Sequence, residues 1–137
     1  MNGAVKDEMV IPMLVCRDAA SEADFCKAAF GAVELSRRLA QDGSVLHATL
    51  KIGEAMLMVH AESPHLASRA PQMDGSSPVV IYIYLAKVDT AIQRAQAAGA
   101  RLLIPATNQF WGDRVGRMVD PAGHVWNIAS RIHEQKA

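Results

Sequence analysis

Two passes along the chain share one order of apolar and polar positions. Met9 to Cys16 is almost wholly apolar, as in a buried strand. Asp18 and Ser21 then open an Ala-rich stretch in which Ala23, Cys26 and Phe30 recur at three- and four-residue spacing, and Gly31 supplies a terminator able to take positive φ. A weaker strand is expected around Val33 to Leu39. Asp42-Gly43 is a turn signal, after which Leu46, Ala48, Leu50 and Ile52 alternate with His47, Thr49 and Lys51, the period of a half-buried strand. Gly53-Glu54 turns the chain again and Ala55 to Val59 is the last strand of this half.

The order repeats from Pro78. Val79 to Leu85 is an apolar strand, and Asp89-Thr90 opens a helix carrying Ile92, Ala95 and Ala98, with Thr90 and Gln93 spaced as a capping box. Arg101 to Ile104 and Val115 to Val119 are short strands, Asp120-Pro121-Ala122-Gly123 is a turn, and Val125 to Ala129 closes the half. Strand onsets at Val10 and Val79 lie about as far apart as the helix ends at Gly31 and Gly99, which indicates an internal duplication. Glu62 to Ser77 is rich in Ser, Pro, Gly and charge. The expected organisation is one domain over 1–137, with modules 9–62 and 78–132 joined by a linker at 63–77. Strands separated by a single helix per half cannot form an alternating parallel sheet, so an α+β fold with mixed sheets is expected, helices covering one face.

Strand parity then points to a site. Val79, Ile81, Ile83 and Leu85 share one face, which suits a helix, so Tyr82 and Tyr84 look to the open side. There they serve a ligand, line a dimer seam, or sit at a sheet edge. His47 and Thr49 likewise oppose the aliphatic face of their strand, where His47 is either a solvated structural histidine or an acid–base group. Cys16 shares parity with Leu14 and belongs to the core. Aromatic residues are 5% of the chain, yet Phe110 and Trp111 stand together in Asn108-Gln109-Phe110-Trp111-Gly112-Asp113-Arg114. Trp111 could stack on a planar ligand and Arg114 hold an anion, or Asp113 and Arg114 could pair and brace the loop.

Composition narrows the classes. In 137 residues, 14 acidic side chains balance 14 basic ones and half the residues are apolar, which fits a globular domain and not a nucleic-acid binder or a disordered chain. No apolar run approaches the roughly 20 residues of a membrane helix. No signal-type leader precedes Met9, and Cys16 and Cys26 do not make a disulfide framework, so a cytoplasmic location is expected. His60 and His65 lie near Glu62 at the linker without a second cluster at metal-ligand spacing, and no Gly-rich phosphate loop occurs. Met13, Met56 and Met58 fill the core or line an adaptable apolar pocket.

Several strings occur together in order: Val15-Cys16-Arg17-Asp18 to Phe25, Lys27-Ala28-Ala29-Phe30-Gly31-Ala32, Leu46-His47-Ala48, Ile52-Gly53, Ala97-Ala98-Gly99-Ala100, Phe110-Trp111-Gly112-Asp113-Arg114 and Asp120-Pro121-Ala122-Gly123-His124-Val125-Trp126. Over roughly residues 9 to 132 they resemble the vicinal oxygen chelate superfamily, also called the glyoxalase/bleomycin-resistance/dioxygenase superfamily, and within it the PhnB-like branch. The resemblance implies two tandem βαβββ modules curling into a cup-shaped mixed sheet with helices outside, paired within a chain or swapped between chains of a homodimer.

The positions that carry metal ligands in metal-dependent members fall on Ile11, Met58 (or Leu57 with a one-residue shift), Val80 and Asn127. Three apolar side chains and one amide suit no divalent ion, so no metal and no other cofactor is expected. The same mapping turns Ile11, Met13, Met56, Met58, Val80, Tyr82, Tyr84 and Asn127 toward the cup and Trp126 beneath it, against a helix. The resulting expectation is a metal-independent protein that encloses a largely apolar or aromatic small molecule, with Met13, His47, Met56, Met58, Tyr82, Tyr84, Phe110, Trp111, Arg114 and Asn127 as ligand-binding residues. One alternative is a lyase or isomerase using His47 with Arg114 or Arg117. Another is a metal lyase recruiting His47, His60 or His124 from a shifted register. Neither a nucleic acid nor a membrane is an expected partner.

Overall fold

The computed structural model describes residues 5–132. These form two compact units, divided at Pro71 and Gln72.

In the first unit, β1 (Met13–Cys16) leads to α1 (Ala19–Phe30), followed by β2 (Val33–Leu39), β3 (Val45–Ile52) and β4 (Ala55–Ala61). Asp18 starts α1 as an extended N-cap whose carboxylate accepts the Ser21 N–H at 3.1 Å and the Ser21 hydroxyl at 3.0 Å. That backbone donor holds the Asp18 carboxyl below its usual range. Gly31, at φ 70°, ends the helix; its N–H reaches Lys27 O while the N–H of Ala32 reaches Cys26 O, so the last carbonyls are satisfied by a left-handed cap. The sheet order is β1-β4-β3-β2, with β1 and β4 parallel and the remaining pairs antiparallel. Leu14, Cys16, Ala48, Leu50, Leu57 and Val59 are buried on the face toward α1, which packs mainly on β3 and β4.

The second unit repeats this plan with β5 (Val80–Tyr84), α2 (Val88–Ala97), β6 (Arg101–Asn108), β7 (Asp113–Val119) and β8 (Val125–Arg131), in the order β5-β8-β7-β6. The two mixed four-stranded sheets, each with one helix, are the expected tandem βαβββ arrangement. Trp126 lies beneath its sheet, paired with Ile81 and Met118 and only 1% exposed. Its indole N–H donates to Asp120 Oδ2 at 2.8 Å, while Asp120 Oδ1 accepts the N–H groups of Ala122 and His124. One buried carboxylate thus closes the Asp120-Pro121-Ala122-Gly123 turn and satisfies the largest core side chain. At Gly116 an added Cβ would sit 2.6 Å from Ile92 Cδ1 and 3.2 Å from backbone atoms of Ile104 and Ala106, so glycine lets α2 lie close to the sheet.

Several boundaries differ from those expected. β1 begins at Met13 because Pro12 has no N–H to give a ladder, although its carbonyl accepts from Met58 N; Ile11 therefore lies outside the strand. β4 runs beyond Val59 and takes in His60. β6 continues through Pro105 to Asn108, which an edge strand tolerates at its register shifts. α2 starts at Val88 after Lys87, which makes no side-chain cap, so Thr90 is inside the helix and no capping box forms. β7 starts at Asp113, and β8 extends to Arg131. The expected linker contains a 3₁₀ turn at Pro64–Leu66 and a Ser63–Ser68 bridge. Among the described residues no helix is long and apolar enough to cross a membrane.

Replacing Trp126 with Ala should destabilise the protein by about 3 to 5 kcal/mol in chemical denaturation, the range for removing a fully packed aromatic. A loss below about 1 kcal/mol would contradict its place in the core.

Candidate functional site

Because successive side chains alternate, covering one sheet face with a helix leaves the other face open, and each unit gathers polar groups there. In the first unit, Met13 pairs with Met58, Met58 with Thr49, and His47 with His60. The two histidines approach with Nδ1 atoms 3.2 Å apart, and His47 Nε2 lies 3.3 Å from the Thr49 hydroxyl. One imidazole donates its Nδ1–H and the other accepts, so the contact requires at least one neutral ring. Burial, with contributions from His60 and Arg38, holds the His47 pKa below its ordinary value. Met56 is buried on this face opposite Lys51, while Met13 is exposed.

The open face of the second unit is built around Asp113, which is 1% exposed. Three donors converge on its Oδ2: the hydroxyls of Tyr82 and Tyr84, each at 2.6 Å, and the Trp111 indole N–H at 3.1 Å. The indole N–H also lies 3.3 Å from the Tyr82 hydroxyl. β5 presents both tyrosines on one face, and β7 begins at the residue that meets them. The tight turn at 109–112, with Gly112 at φ 95°, folds Trp111 back onto the same carboxylate. Burial raises the Asp113 carboxyl, but donation from Tyr82, Tyr84 and Trp111 with the field of Arg131 prevails and leaves it lowered. Burial together with donation to Asp113 pushes Tyr82 up to about 12, and donation to Asp113 raises Tyr84 as well. The Arg131 guanidinium sits over the Tyr84 ring, 4.9 Å from its centroid.

The expected ligand-binding residues are therefore only partly assembled. Tyr82, Tyr84 and Trp111 come together, and Phe110 stacks edge-on to Trp111 at 5.0 Å while remaining 97% exposed. Asn127 shares their face opposite Tyr82, yet its amide oxygen accepts from Arg117 Nε at 2.8 Å. Arg114 is a correction. It falls on the other parity, where its guanidinium bonds both Asp89 carboxylate oxygens, at 3.0 and 3.2 Å, and Asn108 at 3.1 Å. It braces the start of α2 to β6, and its expected partner Asp113 serves the tyrosines instead. His60 as the partner of His47 and Asp113 as the centre of the aromatic cluster escaped the sequence reading. The alternation of Met56, Met58 and His60 carries the first signal, and the second needs the register of β7.

The sequence model of the Glyoxalase/Bleomycin resistance protein/Dioxygenase superfamily matches residues 9–128. The chain belongs to that superfamily. An uncharacterised protein of Mycobacterium bovis is 40% identical over 126 residues, spanning 90% of this chain and 83% of that one. Among solved structures, TioX from Micromonospora sp. ML1 is similar with a TM-score of 0.71 and 26% identity, covering 90% of this chain and 98% of that one. A glyoxalase-related enzyme from Fulvimarina pelagi has a TM-score of 0.71 at 20% identity, covering 92% and 89%, and shares the fold.

The positions that the resemblance assigns to metal ligands do not fit a divalent ion. Ile11 precedes β1, Met58 and Val80 offer no hard donor, Leu57 lies on the helix face, and the Asn127 oxygen already faces a cation.

The chain has two tyrosines, so tyrosinate absorbance after a rapid pH jump reports this cluster alone. One tyrosine should titrate near 12 and the other above 10, with Asp113→Asn bringing both down toward 10. Ordinary titration of both in the wild type would contradict the geometry. The raised Tyr82 stabilises the fold fully below about pH 10 and less as pH rises through about 12. The lowered His47 contributes fully above its unfolded value of 6.5 and less as pH falls below it. Denaturation midpoints should therefore drop between pH 7 and 5, and His47→Gln should flatten that drop; an equal drop in the variant would remove His47 as its source.

Proposed function

We propose that this protein is a metal-independent, PhnB-like member of its superfamily that binds a largely apolar or aromatic small molecule and acts by sequestration. The observation that carries the reading is the assembly of Tyr82, Tyr84 and half-exposed Trp111 on one open sheet face around a buried carboxylate. Such a surface offers flat apolar area with few, fixed polar groups, the composition of a small-molecule site. Trp111, Tyr82 and Tyr84 carry most of the binding, Phe110 adds exposed ring surface, and Asn127 with Arg117 supplies a polar margin. Met13, Met58 and Met56 give the first sheet's open face a compliant apolar lining. The protein works as a cytoplasmic homodimer with no nucleic-acid or membrane partner. The unsuitable donor set at Ile11, Met58, Val80 and Asn127 supports metal independence.

The His47–His60 contact favours a second reading, an enzyme of lyase or isomerase type. A histidine held neutral by burial, with Thr49 and His60 in reach, is equipped to take a proton from a bound substrate. Under this reading His47→Ala abolishes turnover, whereas sequestration has no turnover to lose.

Phenazine, a neutral planar heteroaromatic, is a suitable probe. Calorimetric titration should show binding to the wild type that weakens at least tenfold in Trp111→Ala, with the variant still cooperatively folded. Equal affinity would remove Trp111 from the site, and no binding of any planar aromatic in a screen would overturn the sequestration reading.

A further inference from the structure

The Asp113 carboxylate is satisfied on one side only. Oδ2 receives Tyr82, Tyr84 and Trp111, whereas Oδ1 is buried and has no hydrogen-bond partner. A buried oxygen without a donor is costly, and more so when it carries charge. The cation that could relieve it is committed elsewhere: Arg131 lies opposite Asp113 across β7 and β8, but its guanidinium covers the Tyr84 ring. All three donors on Oδ2 are neutral, so the cluster keeps an acceptor with unspent capacity.

We propose that Asp113 Oδ1 is the recognition point for a cationic N–H group on the ligand, so that the protein selects protonated, nitrogen-bearing planar aromatics over neutral ones. This rests on the reading of the Tyr82, Tyr84 and Trp111 face as the binding surface. A charge-assisted bond to a carboxylate is shorter and about twice as strong as a neutral one, and strengthens where water is excluded. The ligand's aromatic plane lies against Trp111 while its N–H turns inward to the carboxylate. Access comes through the indole. Its contacts, 3.1 Å to Asp113 and 3.3 Å to Tyr82, are the longest in the cluster, and it is carried on a turn containing Gly112. A ligand amino group that displaces the indole N–H gives one N–H to Oδ2 in its place and a second N–H to Oδ1. The tyrosine hydroxyls stay in place as donors, which fixes the carboxylate plane and makes the recognition directional.

The test compares three planar tricyclic probes by calorimetry at pH 7: 9-aminoacridine, a cation with N–H donors; 10-methylacridinium, a cation with none; and phenazine, neutral with none. Wild-type protein should bind 9-aminoacridine at least tenfold more tightly than phenazine and at least fivefold more tightly than 10-methylacridinium. In Asp113→Asn the preference over phenazine should fall to within threefold. Equal binding of 9-aminoacridine and phenazine by the wild type overturns the proposal and leaves the aromatic-binding reading standing. Equal binding of the two cations overturns the N–H bond, and a preference that survives Asp113→Asn assigns recognition to another group. If none of the probes binds, the aromatic-binding reading fails and the proposal with it. The comparison between the two cations needs no substitution and decides the matter if Asp113→Asn does not fold.

Discussion

Asp113 brings a charge to a place water does not reach, and the open face of the second sheet is organised around meeting that charge. Three side chains from two segments far apart in sequence satisfy one carboxylate oxygen: Tyr82 and Tyr84 from β5, and Trp111 from the turn before β7. Each donor loses rotamer freedom in doing so, which turns flexible aromatic surface into a fixed platform. The pairing also constrains the strands. Asp113 must start β7 at the correct parity, and Gly112 must take a left-handed conformation for Trp111 to turn back.

The two units show how one topology hosts different chemistry. Both bury an apolar sheet face under a helix, with Leu50, Leu57 and Val59 in one and Trp126, Ile128 and Met118 in the other. The opposite faces are free to diverge because the helix contacts do not constrain them. One carries a histidine pair in which burial holds His47 toward its neutral form, and the other an ionised carboxylate ringed by aromatic donors. Membership of the superfamily fixes the scaffold, and the proposed function rests on these faces.

Much of this scaffold is legible from local sequence. Asp18 and Ser21 announce the start of α1 and Gly31 its end, and alternation places Tyr82 and Tyr84 opposite the aliphatic residues of β5. The place of Trp126 beneath its sheet is what the family resemblance implied. What escaped is long-range. Pro105 reads as a strand breaker, yet an edge strand accommodates it between register shifts. Lys87 begins α2 without a side-chain cap, so Asp89 and Thr90 suggested a start that is too late. Polar residues crowd the end of β4 and mask the place of His60 in that strand. Arg114 and Asp113 are adjacent and looked like one pair, but in a strand neighbours point to opposite faces. One therefore joins Asp89 and the other the tyrosines. No sequence pattern measures that a single carboxylate oxygen is left without a donor.

The aromatic face of the second sheet as the binding surface is tested most directly by the two indole N–H resonances of ¹⁵N-labelled protein, one from Trp111 and one from Trp126. Their environments are opposite, one half-exposed and held by Asp113, the other buried and held by Asp120. Titration with 9-aminoacridine should shift or broaden the Trp111 signal progressively to saturation and leave the Trp126 signal in place. A static Trp111 signal while the ligand binds elsewhere, or equal movement of both, would contradict the account.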